Sequence, residues 1–157
     1  MRILNDFSTS VRKALEEIDP NYESYDGLVV CGTHSPHDVE EMIEEIRKAR
    51  ESGTPFLGIC FGHQLAAVEY ARNVLGIERA DSEEWGDGEH VVAKLPQLKV
   101  GLGADGESYW HNYYVLANFD DWDKADNFIT CQYHPEYQSS KDKPHRLLVQ
   151  FINACKK

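Results

Sequence analysis

The stretch Pro55–Gly76, PFLGICFGHQLAAVEYARNVLG, decides how this chain is read. Phe56 to Ile59 is a short apolar run of the buried-strand type, and from about Phe61 to Leu75 the pattern is helical, with Gly76 as its stop. Cys60 falls at the junction. Cysteine is usually a small buried hydrophobe, but here glycines stand two residues before it and two after it. Gly58 and Gly62 leave room for neighbouring backbone and for a strained conformation, which is how a nucleophile elbow exposes its side chain. The thiol then lies at the N-terminus of a helix, where unpaired N–H groups and the helix dipole favour thiolate and the N–H of Phe61 can point at an oxyanion. A buried thiol between two packing glycines is the reading that this stretch alone leaves open.

Outward from this junction the chain alternates strand and helix. Arg2 to Asn5 reads as a short strand, Ser8 to Ile18 as a helix, and Gly27 to Cys31 as a buried strand. A second helix follows, with Ser35 as cap, Pro36 at its first position and Asp38, Glu40 and Glu41 at its positive end. Val39, Met42, Ile43, Ile46 and Ala49 form its apolar stripe, and Gly53 ends it. This βαβα order implies an α/β fold, a parallel sheet covered by helices, with ligands at the carboxyl ends of the strands. After Asp81 the segments shorten. Ala104 to Glu107 reads as a hairpin turn between Lys99–Leu102 and Ser108–Leu116, Phe128 to Tyr133 as a late strand, and Leu147 to Ala154 as a closing helix. The 157 residues fit one domain, 1–157.

Composition narrows the function. A formal charge of −11 argues against a nucleic-acid partner, whose affinity would come from clustered Lys and Arg. The N-terminal MRILNDFSTSVRK has no apolar core of signal length, and no apolar run approaches the roughly 18 residues of a membrane span, so a cytoplasmic protein is expected. Cys31, Cys60, Cys131 and Cys155 lie far apart with no C-x-x-C pair, which reads as free thiols rather than a zinc knuckle. His34 and His37 lack a third ligand at helical spacing and read as a solvated loop, so neither a metal nor a cofactor is expected.

A cysteine nucleophile needs a distant base and an orienter. CQYHPEYQSS, Cys131–Ser140, supplies both: His134 ends the late strand, and Glu136, beyond a stiffening proline, can hold one ring nitrogen while the other takes the thiol proton. Taken alone, a surface His-Pro-Glu turn explains it as well.

Together, Gly58-Ile-Cys60-Phe-Gly62-His-Gln64 and the distant His134-Pro-Glu136 resemble the signature of class I glutamine amidotransferases. ARNVLGIERADSEEW (Ala71–Trp85), VGLG (Val100–Gly103) and CQYHPEYQSSKDKPHRLLVQFINA (Cys131–Ala154) are similar, in the same order, to the glutaminase domain of CTP synthase. The resemblance implies a three-layer, open, mostly parallel sheet with helices on both faces around a flavodoxin-like core. It implies glutamine hydrolysis through a γ-glutamyl thioester with release of ammonia. Cys60 would be the nucleophile, His134 the acid and base, and Glu136 the orienter; Gly32 and Phe61 would form the oxyanion hole. Gln64 and Glu84 would hold the substrate, Glu84 through the α-ammonium group.

Two departures stand beside the match. Gly32-Thr-His-Ser35 replaces a Gly-Gly-Phe-Gly loop, which puts His34 at the substrate wall, and Asn112 stands where the family has an arginine that clamps the glutamine carboxylate. Tyr113 and the neighbouring aromatics of Tyr109–Tyr114 would line the pocket. No G-x-x-x-x-G-K-[ST] loop occurs, so ammonia would pass to a separate synthetase. Two alternatives remain open at this point: a stand-alone hydrolase of another γ-glutamyl amide or amidate, and a catalytically silent regulatory or binding module.

Overall fold

In the computed structural model, which describes residues 1–117 and 119–157, the elements run β1 (Arg2–Leu4), α1 (Thr9–Ile18), β2 (Leu28–Val30), α2 (Val39–Ser52), β3 (Phe56–Ile59), α3 (Phe61–Asn73), β4 (Ala80–Ser82), β5 (Glu89–Leu102), β6 (Tyr109–Leu116), β7 (Phe128–Cys131) and α4 (Arg146–Cys155). Strands β1, β2, β3 and β7 pair in that order, all parallel. Alternation along the strands divides the core in two. Val29, Leu57, Ile59 and Ile129 face Val11 and Leu15 of α1 and Leu148, Phe151 and Ile152 of α4. Leu28, Val30, Phe56 and Phe128 face Met42, Ile43 and Ile46 of α2 and Leu65 and Val68 of α3. Apolar side chains therefore cover the sheet on both faces, which is the three-layer α/β architecture that the sequence implied. Each such buried side chain contributes about 1.5–3 kcal/mol.

The second sheet, in the order β4-β5-β6, packs beside the first. Its hairpin closes where expected, with Leu102 opposite Tyr109 and Asp105 accepting from the N–H groups of Glu107 and Ser108. Strand β5 is longer than the expected Lys99–Leu102. It begins at Glu89, and Pro96, which has no N–H to donate, lies in the gap between the paired residues Lys94 and Lys99.

Helix α2 starts later than its capping pattern suggests. Ser35 is not its cap: its N–H donates to Thr33 Oγ1 at 3.0 Å, while Thr33 Oγ1 donates to Asp6 Oδ2 at 2.7 Å. These bonds hold residues 33–35 as a bent loop, and Asp38, at φ 51°, takes the position before the helix with no side-chain cap bond. Helix α3 ends at Asn73 rather than Leu75, because Val74 and Leu75 are exposed and burial gives no reason to prolong it. The order β2-β3-β7 places three loops side by side at the carboxyl ends: Gly32 after β2, Cys60 after β3 and His134 after β7.

Candidate active site

Cys60 sits between β3 and α3 at φ 56° and ψ −102°, a left-handed conformation that costs a non-glycine residue about 1–3 kcal/mol. The surroundings hold it there. Its N–H donates to Cys131 O at 2.8 Å, and its carbonyl accepts the helical bond from Gln64 N at 3.1 Å. The glycines are required by close approach: a Cβ on Gly62 would come within 2.0 Å of Val30 O, and one on Gly58 within 2.9 Å of the Gly62 carbonyl. Helix α3 is thereby drawn onto β2 and β3, and the thiol is turned outward. The other thiols differ. Cys31 and Cys131 are buried, and burial pushes both far above the ordinary thiol range; Cys155 is pushed up to about 11, also by burial.

His134 is anchored from both sides. Its backbone N–H donates to Tyr109 O at 2.7 Å, and its ring stacks on Tyr137 with centroids 4.9 Å apart. Nδ1 lies 2.6 Å from Glu136 Oε1, in a pair only 3% and 5% exposed. Pro135 opens the short 3₁₀ turn Pro135–Gln138 that bends Glu136 back under the ring. The ring and the Cys60 thiol line the same cavity. Burial opposes the imidazolium, but hydrogen bonds to Cys60 and Glu136 outweigh it and raise the His134 pKa from 6.5 to about 9.

Cys60 and His134 open into a cavity of about 360 Å³. Phe61, Gln64, Glu84, His34 and Tyr113 line it, as do Tyr109, His111 and Tyr114. Gln64 is held by its Nε2, which donates to Tyr114 O at 3.0 Å. Glu84 is half buried, and burial raises its pKa to about 7. His34 packs edge-on against Phe7, with centroids 4.8 Å apart, and 6.0 Å from His111 and from Tyr113. Gly32 lies beside the His134 ring, where a Cβ would stand 3.5 Å from Cε1, and is not among the residues lining the cavity.

Asn112 is placed differently from the substrate-facing position expected for it. It is 1% exposed and lies behind the nucleophile, with Nδ2 donating at 3.0 Å to Cys60 Sγ and at 3.0 Å to Gln132 O. The carbonyl of Gln132 can only accept, so it fixes the amide with nitrogen toward sulfur. Gln132 Nε2 also donates to Sγ, at 3.8 Å. The sulfur thus lies between an imidazole and two amides. Gln132, Phe7 and Tyr137 are site residues that the sequence reading passed over. Tyr137 carried a signal in its position next to Glu136; Phe7, in a loop more than fifty residues before Cys60, carried none.

A larger groove of about 950 Å³ lies at the opposite, amino ends of the strands, around Thr54, Asn127 and Arg146. It contains no paired thiol and imidazole, so the smaller cavity is the candidate site.

A family model described as glutamine amidotransferase class-I matches residues 5–154. CTP synthase of Methanoculleus marisnigri is 35% identical over 180 aligned positions, which take in 84% of this chain and 34% of that protein. CTP synthase of Methanothrix thermoacetophila is 48% identical over 193 positions, covering 90% of this chain and 35% of that one. The chain therefore spans about a third of the length of these relatives. Among solved structures, the Trypanosoma brucei CTPS glutaminase domain with bound acivicin superposes with a TM-score of 0.78 at 17% identity, over 98% of this chain and 92% of that one. At that identity the superposition establishes the fold.

Proposed function

The chain belongs to the class I glutamine amidotransferase family, and from that premise we propose that Cys60, His134 and Glu136 hydrolyse a glutamine side-chain amide and release ammonia. One observation carries the reading: a thiol on a glycine-framed elbow opens into the same cavity as an imidazole, one nitrogen of which is held at 2.6 Å by a buried carboxylate.

In this mechanism Cys60 Sγ attacks the γ-carbonyl carbon. The oxyanion forms beside the N–H of Phe61, in the unpaired first turn of α3, and the N–H of Gly32; such donors are each worth about 10²–10³ in rate. His134, held as imidazolium, protonates the departing nitrogen, and ammonia leaves. His134 then takes a proton from water, which attacks the thioester and frees the carboxylate and the thiol. Glu136 keeps the ring oriented through both steps. Glu84 receives the α-ammonium group, and Gln64 adds a polar wall.

The acceptor of ammonia in this reading is a synthetase site outside these 157 residues, by analogy with the longer relatives. No described helix is long and apolar enough to cross a membrane. A second reading, hydrolysis of a different γ-glutamyl compound, is favoured by one feature: no lysine or arginine lines the cavity.

The test is ammonia and glutamate release from glutamine by the wild type and by Cys60→Ser. Turnover abolished in the variant, with the melting temperature kept, supports the mechanism. Equal turnover in both removes Cys60 from the chemistry.

A further inference from the structure

The cavity holds one carboxylate and, apart from the His134 imidazolium at the reacting end, no cation. Glu84 reaches into it with no ion-pair partner among the described residues, and neither lysine nor arginine lines it. His111, on the same wall, is pushed toward its neutral form by burial and by the nearby His34 and His134. A free amino acid brings two charges. Its ammonium group finds Glu84, whereas its carboxylate would leave water for a space whose one cation, the His134 imidazolium, is engaged at the side-chain amide, which is costly.

The mouth of the cavity points the same way. Tyr109, His111 and Tyr113 lie on one face of β6 and line the cavity. Val100 is the cross-strand partner of His111, and Leu102 that of Tyr109. Directly opposed residues share a face of the sheet, so the cavity wall continues into Val100 and Leu102, which are 58% and 55% exposed. An apolar strip therefore extends outward from this wall of the cavity.

We propose that the substrate is a glutaminyl residue at the N-terminus of a peptide. Its free α-ammonium group pairs with Glu84, its α-carboxyl is already a neutral amide, and the following side chain lies along Val100 and Leu102. The inference rests on the Cys60 thioester reading. Sγ forms a bond to the side-chain carbonyl carbon as the C–N bond breaks, and ammonia leaves with the proton from His134. Water then cleaves the thioester, so that the glutaminyl peptide and water give the glutamyl peptide and ammonia.

The experiment measures kcat/KM for ammonia release from L-glutamine, L-glutaminamide, Gln-Gly, Gln-Leu and Nα-acetylglutamine, with Cys60→Ser as the blank for spontaneous cyclisation. Removing the uncompensated charge should make glutaminamide better than glutamine by at least about 10-fold. Gln-Leu should exceed Gln-Gly, and Val100→Asp should narrow that gap. Nα-acetylglutamine, with no ammonium group for Glu84, should be the poorest. Glutamine turned over as well as glutaminamide, or better, would overturn this inference and leave the thioester mechanism standing. No release from any of the five compounds would overturn both.

Discussion

Replacing Glu136 with glutamine keeps a hydrogen-bond acceptor beside His134 and removes its charge. The His134 pKa rises from 6.5 to about 9, a preference for the imidazolium of about 3 kcal/mol at about 1.36 kcal/mol per pH unit. Burial works against that form, and Cys60 and Glu136 together provide the excess. If the carboxylate supplies about half, its loss lowers the pKa by about 1, so that above pH 9 the imidazolium fraction, and kcat with it, falls by up to about 10-fold. The assay is kcat for ammonia release across pH 5 to 10.5. His134 must be protonated to expel ammonia, so the wild-type profile should fall on its alkaline side near pH 9, and that limb should lie about 1 lower in Glu136→Gln. The same proton is linked to stability. A group whose pKa is raised on folding stabilises the fold fully below about 6.5 and loses that contribution as pH rises through about 9, so the wild-type melting temperature should decline across this window and the variant's should decline less. An alkaline limb still near 9, with kcat within about twofold, would show that Glu136 does not govern His134 and would refute the reasoning.

Asn112→Leu removes the donor 3.0 Å from Cys60 Sγ and leaves Gln132 O without it, so stability should fall by about 1–3 kcal/mol and alkylation of Cys60 by iodoacetamide at pH 7 should slow. An unchanged alkylation rate would mean that the amide does not assist the sulfur. Because burial places the Glu84 pKa at about 7, KM for substrates carrying an α-ammonium group should rise about tenfold for each pH unit below that value, and Glu84→Gln should raise KM at pH 8 and flatten the dependence. A pH-independent KM in the wild type would place the ammonium group elsewhere. Gly62→Ala would put a Cβ 2.0 Å from Val30 O, a backbone contact that cannot yield cheaply, so thermal denaturation should show a loss of about 3 kcal/mol or more. A melting temperature equal to wild type would disprove the close packing of α3 on β2.

The parts of this molecule legible in its sequence are those fixed by local chemistry. Phe56–Ile59 is a strand to the residue because both of its faces are buried, and Cys60 declares itself through glycines whose absent side chains are required within 3 Å. His134 and Glu136 are two residues apart, so one proline turn brings them together. Features set by packing between distant segments were hidden. Ser35 and Pro36 have the chemistry of a helix start, yet Thr33 and Asp6 capture that loop and delay α2 to Val39. Most of β5 is exposed and interrupted by Pro96, and only its pairing with β4 and β6 makes it one strand. Asn112 turns its amide to the sulfur because β6 lies against the end of β7, a relation that no residue near position 112 encodes.

The central claim is that Cys60 attacks the substrate amide, and covalent capture tests it most directly. The protein is incubated with an electrophilic glutamine analogue, digested and mapped by peptide mass spectrometry, with His134→Ala treated in parallel. The expected result is a single label on the peptide containing Cys60, formed more slowly in the His134 variant. A label on Cys31, Cys131 or Cys155 in its place, or labelling of Cys60 at the same rate without His134, would contradict the account.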